Sequence, residues 1–163
     1  MSSMVKSKPE PAPRRVKHRM PSLTLNIQYP GGTAKAPSRR EVRRWVRATC
    51  STAAVLTVRF VDEAEARALN ASYRGKDYAT NVLSFPYSSG ELLAGDLALC
   101  TAVVIREALE QRKPIDAHYA HLVVHGLLHL HGLDHERSAK DAKIMEAKEI
   151  EILASLEIPD PYN

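Results

Sequence analysis

The sequence predicts an α+β fold, a small mixed four-stranded β-sheet covered by about five helices, and three observations predict it. Short runs rich in β-branched or alternating apolar residues fall before Thr101, longer stretches of helical periodicity follow it, and the two kinds are partly segregated along the chain. No internal repeat interrupts this order. At 163 residues and 18.1 kDa the chain suits one core, and residues 21–163 are expected to form a single domain.

The first strand is read from Leu23, Leu25 and Ile27, which alternate with Thr24, Asn26 and Gln28 before the turn Pro30-Gly31-Gly32. Next comes a helix in which Val42, Trp45 and Val46 share one face, with Ser38 as its N-cap. Its other face is basic, with Lys35, Arg39, Arg40, Arg43, Arg44 and Arg47 in or beside it; these could meet phosphate or form a solvated face. Ala54 to Val61 reads as the second strand, and Asp62 caps a helix running from Glu63 to about Asn70. Asn81 to Tyr87 is the third strand, ended by Pro86 and Ser88-Ser89-Gly90, and Gly95 to Cys100 the fourth. Three helices complete the chain: Thr101 to about Arg112, Ile115 to about His131, and Ser138 to about Leu156, with Pro159 and Pro161 closing it.

Composition narrows the function classes only a little. Hydrophobic residues make up 44% and charged residues 26%, as in ordinary globular proteins. The longest apolar stretch, around Leu122 to Leu130, is broken by histidines and glycine, so no membrane helix is expected. The N-terminus has no secretory pattern, and a cytoplasmic location follows as the expectation. Cys50 and Cys100 form no CxxC pair and read as buried thiols. The net charge of +4 comes from one end: residues 1–19 carry six lysines and arginines against Glu10, leaving a net −1 for the rest. Residues 1–20, basic and proline-containing, are expected to be a disordered tail.

The strongest chemical signal lies in His125-Gly126-Leu127-Leu128-His129-Leu130-His131-Gly132-Leu133-Asp134-His135. Residues four apart on a helix sit about 40° apart around the axis, so His125 and His129 can grip one ion. His135 can join them only if the chain bends after His129, and Gly132 supplies a residue tolerant of the left-handed conformation that ends helices. Three imidazoles with an open fourth position are the arrangement of catalytic zinc, here expected as one ion per chain at the end of a central helix. His121 lies on the same face but about 12 Å from His129, too far for one ion to bind all three. It is left as a metal-supporting, substrate-contacting or merely exposed residue. His131, about 200° around the axis from His129, reads as surface.

The same spacing fits a zinc peptidase, but such enzymes place a glutamate base directly after the first histidine, where this chain has Gly126. Glu136 or Asp134 would have to stand in for it.

The pattern His125-Gly126-x-Leu128-His129-Leu130-x-Gly132-x-Asp134-His135 resembles the signature of the YbeY-type endoribonucleases. Tyr73-Arg74-Gly75-Lys76-Asp77-Tyr78-x-Thr80-x-Val82-Leu83-Ser84-Phe85-Pro86 resembles the other hallmark of that family, and Gly95-Asp96-Leu97 and Asp160-Pro161-Tyr162 follow in the expected order. The resemblance runs from about Leu23 to the C-terminus. It implies zinc on the three histidines and cleavage of single-stranded RNA in 16S ribosomal RNA maturation and ribosome quality control. It also implies a catalytic role for Arg74, and the small ribosomal subunit, a ribosomal protein or an assembly GTPase as partners. Lys76 and His121 are carried as substrate-binding candidates. Two positions depart from the common pattern: Asn81 where many members have aspartate, and Leu133 where tyrosine is common. A zinc peptidase, or a ribosome-assembly factor with a mainly structural metal, are the alternative readings.

Overall fold

A computed structural model of the chain describes residues 5, 7–14, 20–88 and 91–163. Part of the expected basic tail, and Ser89-Gly90 of the expected turn, lie outside the described residues. Residues 7–14 are exposed and belong to no helix or strand.

The elements are β1 (Leu23–Gln28), α1 (Arg39–Thr49), β2 (Ala53–Val61), α2 (Glu63–Arg74), β3 (Val82–Ser88), β4 (Leu92–Cys100), α3 (Thr101–Glu110), α4 (Ile115–Leu130) and α5 (Ala139–Ser155). Among the described residues, four strands and five helices match the sequence expectation. The sheet order is β1-β2-β4-β3, with β1, β2 and β4 parallel and β3 antiparallel to β4. β1, α1 and β2 form a crossover unit, since parallel neighbours need a long connection. β4 lies at the sheet interior, and its Gly95-to-Cys100 run is mostly buried.

Caps fix two helix starts as the sequence suggests, with Ser38 Oγ accepting from the Glu41 amide and Asp62 Oδ1 from Glu65, and Ser138 Oγ accepts from Asp141 at the start of α5. α2 runs longer than expected. It continues past Asn70 to Arg74 and stops at Gly75, whose φ of 68° is the left-handed conformation of a glycine cap.

The main core joins Leu56, Val58 and Phe60 of β2 with Leu97 and Leu99 of β4, Val42, Trp45 and Val46 of α1, the apolar positions of α4, and Met145, Ile152 and Leu153 of α5. A smaller cluster contains Val61, Cys100, Ala66 and Val103. Val61 and Cys100 alternate with Phe60 and Leu99 along their strands, so α2 and α3 cover the opposite face. α4 packs closely on the sheet where side chains are absent: a Cβ at Gly126 would lie 2.9 Å from Leu97 Cδ2, and one at Gly95 2.9 Å from both the Phe85 carbonyl oxygen and Leu130 Cδ2. α4 is thereby a rigid, largely buried mount for whatever its C-terminal half carries.

The basic face of α1 is used largely for packing. Arg39 donates to the Ile27 carbonyl and lies over the Tyr29 ring, Arg47 donates to the Pro21 carbonyl, and Arg44 reaches the Leu156 carbonyl at 3.4 Å. Three of its five arginines are therefore tied to backbone, which weakens the phosphate-binding reading of this face. Both cysteines are free; Cys100 is buried and Cys50 half-buried, with burial raising the Cys50 thiol pKa to about 11.

Candidate active site

The last two turns of α4 carry His125 and His129 on one side, and the helix ends at His131. Gly132 follows with φ 97°, the positive-φ bend that the spacing anticipated. Asp134 holds the returning loop by accepting the Glu136 amide at 2.9 Å through Oδ1. That hydrogen bond is also the main reason its carboxyl pKa is lowered, which makes Asp134 a weak base. The loop brings the His135 ring to within 5.0 Å of the His125 ring, centre to centre. His125, His129 and His135 line one cleft of about 290 Å³ together with Tyr73, Arg74, Val82, Leu83, Ser84, Asp134 and Glu136.

Arg74 enters this cleft from the last turn of α2. It lies on the helix, not beyond it as the expected end near Asn70 implied: the helix persists because Gly75 closes it. Its guanidinium is half exposed and stands 3.6 Å from Glu136 Oε1, a surface ion pair that solvent weakens. Lys76 is exposed, past the cap, and is not among the residues lining this cleft or the adjoining one.

Desolvation is the largest influence lowering the His129 pKa; Asp134 opposes it, while the neighbouring His125 and His135 add to it. The ring is biased toward the neutral form, the form that offers a lone pair to a cation. His131 is half-buried, not a surface residue as its helical angle suggested; desolvation lowers its pKa, and Nε2 has no partner among the described residues.

A carboxylate that sequence reading passed over lies behind the histidines. Glu149, buried on α5, has Oε1 2.7 Å from His125 Nδ1 and Oε2 2.7 Å from His121 Nε2, and it accepts from the Tyr162 hydroxyl. Burial by itself would raise its pKa; the hydrogen bonds from His121, His125 and Tyr162 outweigh that and draw it down to about 2. His121, His125 and Glu149 each offer a donor atom within 4.8 Å of the others, so this group could hold a metal ion. It differs from the triad of His125, His129 and His135, and the two sets share His125. They make different demands on it, because Nδ1 faces Glu149. The only signal for Glu149 in the sequence is an acid at a buried helical position, which periodicity alone flags weakly.

Asn81 has a plain structural role. Its amide donates to Glu107 at 3.0 Å and its carbonyl accepts from the Val82 amide, while Glu107 also contacts the buried His118 ring at 3.2 Å. An aspartate there could not donate to Glu107 unless protonated.

The family comparison decides the class. The family model described as Endoribonuclease YbeY matches residues 32–157. The chain belongs to the YbeY endoribonuclease family. A protein named Endoribonuclease YbeY from Cupriavidus pinatubonensis is 54% identical over 87% of this chain and 73% of its own length. One of the same name from Aromatoleum aromaticum is 53% identical over 86% of this chain and 92% of its own. In fold, the chain is similar to the solution structure of TM1509 from Thermotoga maritima, with a TM-score of 0.53 and 24% identity over 82% of this chain and 92% of that one. YbeY membership makes the chain an endoribonuclease, a hydrolase with an RNA substrate. Among the described residues, no helix is long and apolar enough to cross a membrane.

Proposed function

We propose that residues 21–163 act as one unit, a single-strand-specific, metal-dependent endoribonuclease working in 16S ribosomal RNA maturation and ribosome quality control in the cytoplasm. His125, His129 and His135 would hold one zinc ion, and the observation that carries this reading is their convergence with Arg74 on one cleft. The donor set suits zinc: three imidazoles, two from one helix turn and one from the returning loop, line a single cleft. When bound, such a metal lowers the pKa of a water and polarises a phosphoryl oxygen.

The chain's own groups do the remaining work. Arg74 lines the same cleft as the histidines and would pair with the scissile phosphate, its planar fork matching two oxygens as charge builds in the transition state. To do so it exchanges Glu136 for the phosphate; a half-exposed pair at 3.6 Å is readily exchanged. His121 lines the adjoining cleft beside Arg74, Thr80 and Asn81, where a flanking nucleotide would lie. For Lys76 a substrate contact would come from outside both clefts, through the backbone of an RNA strand leaving the site. The family's implied partners, the small ribosomal subunit with a ribosomal protein or an assembly GTPase, belong to this proposal as well.

The peptidase alternative meets a steric objection at Gly126. A side chain there starts against Leu97 and Ser84, 2.9 and 3.3 Å from its Cβ, so the position that carries a peptidase's base is packed against the sheet. The test is cleavage of a single-stranded ribosomal RNA fragment by wild type and a folded His129→Ala variant prepared identically. Cleavage by wild type alone is expected; equal cleavage by both, or by neither, would remove the metal-dependent nuclease reading.

A further inference from the structure

Buried carboxylates are costly unless their oxygens are satisfied, and Glu149 is satisfied in a particular way. Its side chain is only 1% exposed and receives three hydrogen-bonding groups: the His125 ring on Oε1, and the His121 ring and Tyr162 hydroxyl on Oε2. An ionised carboxylate only accepts, so each of these partners must donate. His125 then carries its proton on Nδ1 and His121 carries its proton on Nε2. A neutral imidazole with its proton on Nδ1 has its lone pair on Nε2, the nitrogen on the far side of the ring from Glu149.

We propose that Glu149 is a positioning residue for the active site: it fixes the Nδ1–H tautomer and ring orientation of His125, presenting Nε2 to the metal, and is not itself a ligand. The inference rests on the metal-triad reading of the cleft. Carboxylates commonly orient metal-binding histidines in this way, and here one carboxylate fixes two rings one helical turn apart on α4. The C-terminal segment completes the device. Tyr162 supplies the third donor, and its position is set by its amide donating to Asp160 Oδ1 at 2.8 Å and by Lys113 Nζ donating to the Pro161 carbonyl. The end of the chain is thereby coupled to the geometry of a residue on α4.

Replacing Glu149 by glutamine keeps the shape and removes the enforcement. An amide has one accepting oxygen and one donating NH₂, so it cannot accept from both histidine rings through separate oxygens. One ring must then change tautomer or lose its hydrogen bond.

The direct test is long-range ¹H–¹⁵N correlation of the histidine rings in wild-type protein, without and with zinc, which needs no variant to fold. The expected result is a proton on His125 Nδ1 in both states. A proton on Nε2 in place of Nδ1 without zinc, or loss of the Nδ1 proton on zinc binding, would overturn the proposal, the latter by making Nδ1 a ligand atom. The second measurement is zinc affinity by chelator competition in Glu149→Gln, with its fold checked by circular dichroism. Loss of metal-supporting partners typically weakens affinity about 10- to 100-fold, and that is the expected drop. Unchanged affinity in both folded Glu149→Gln and folded Glu149→Leu, the second of which leaves neither ring an acceptor, would overturn the proposal. Wild type that binds no zinc would instead sink the proposed metal function, leaving the tautomer measurement to decide what Glu149 does to His125.

Discussion

On the proposed reading, Arg74 and the three histidines divide the work at the level of single residues, so their substitutions should separate cleanly. Arg74→Ala removes a phosphate partner but no metal donor; cleavage of single-stranded RNA should fall by roughly 10²- to 10³-fold, the scale for losing one oxyanion-stabilising group, while bound zinc is unchanged. Loss of zinc along with activity would show that Arg74 supports the metal site instead. The histidine spacing was legible in the sequence because one helix turn and a glycine bend fix it locally. Glu149 was not, because its partners His121 and His125 lie on another helix and only packing of α5 against α4 brings them together. His131 was misread for the same reason: an angle around the helix does not say what lies against that side.

Among the elements, α4 matters most, and its seat against β4 depends on two glycines. Gly95→Ala would put a methyl group 2.9 Å from the Phe85 carbonyl oxygen, where backbone must move. Overpacking of this kind costs about 1–3 kcal/mol, so a lower urea midpoint with an unchanged slope is expected. Unchanged stability would mean that β3 and β4 have slack at this contact. Strand and helix order were readable from periodicity and turn residues, and the N-caps at Ser38 and Asp62 fell where expected. The end of α2 was not readable: Arg-Gly-Lys suggests a loop, whereas Gly75 in its left-handed conformation acts as a cap and leaves Arg74 on the rigid helix. For the phosphate contact proposed for Arg74, that is a gain in precision.

At the scale of the whole molecule, the histidines stand at the edge of a core that is complete without them. Leu127, Val123 and Val124 of α4 are fully buried in the main cluster, together with residues of β2, β4, α1 and α5. Chelation should therefore silence RNA cleavage while leaving circular dichroism unchanged and lowering the melting temperature only by the lost binding energy. Unfolding on chelation would support the alternative of a structural metal. Sheet topology was the part of the whole least visible in sequence, since the antiparallel placement of β3 beside β4 depends on pairing between distant segments. The most direct test of the account is zinc content, measured on purified wild type and folded His129→Ala and His121→Asn variants. With the ion on His125, His129 and His135, wild type and His121→Asn should each retain about one zinc per chain and His129→Ala none. Zinc kept by His129→Ala and lost by His121→Asn would contradict the account and place the ion with His121, His125 and Glu149.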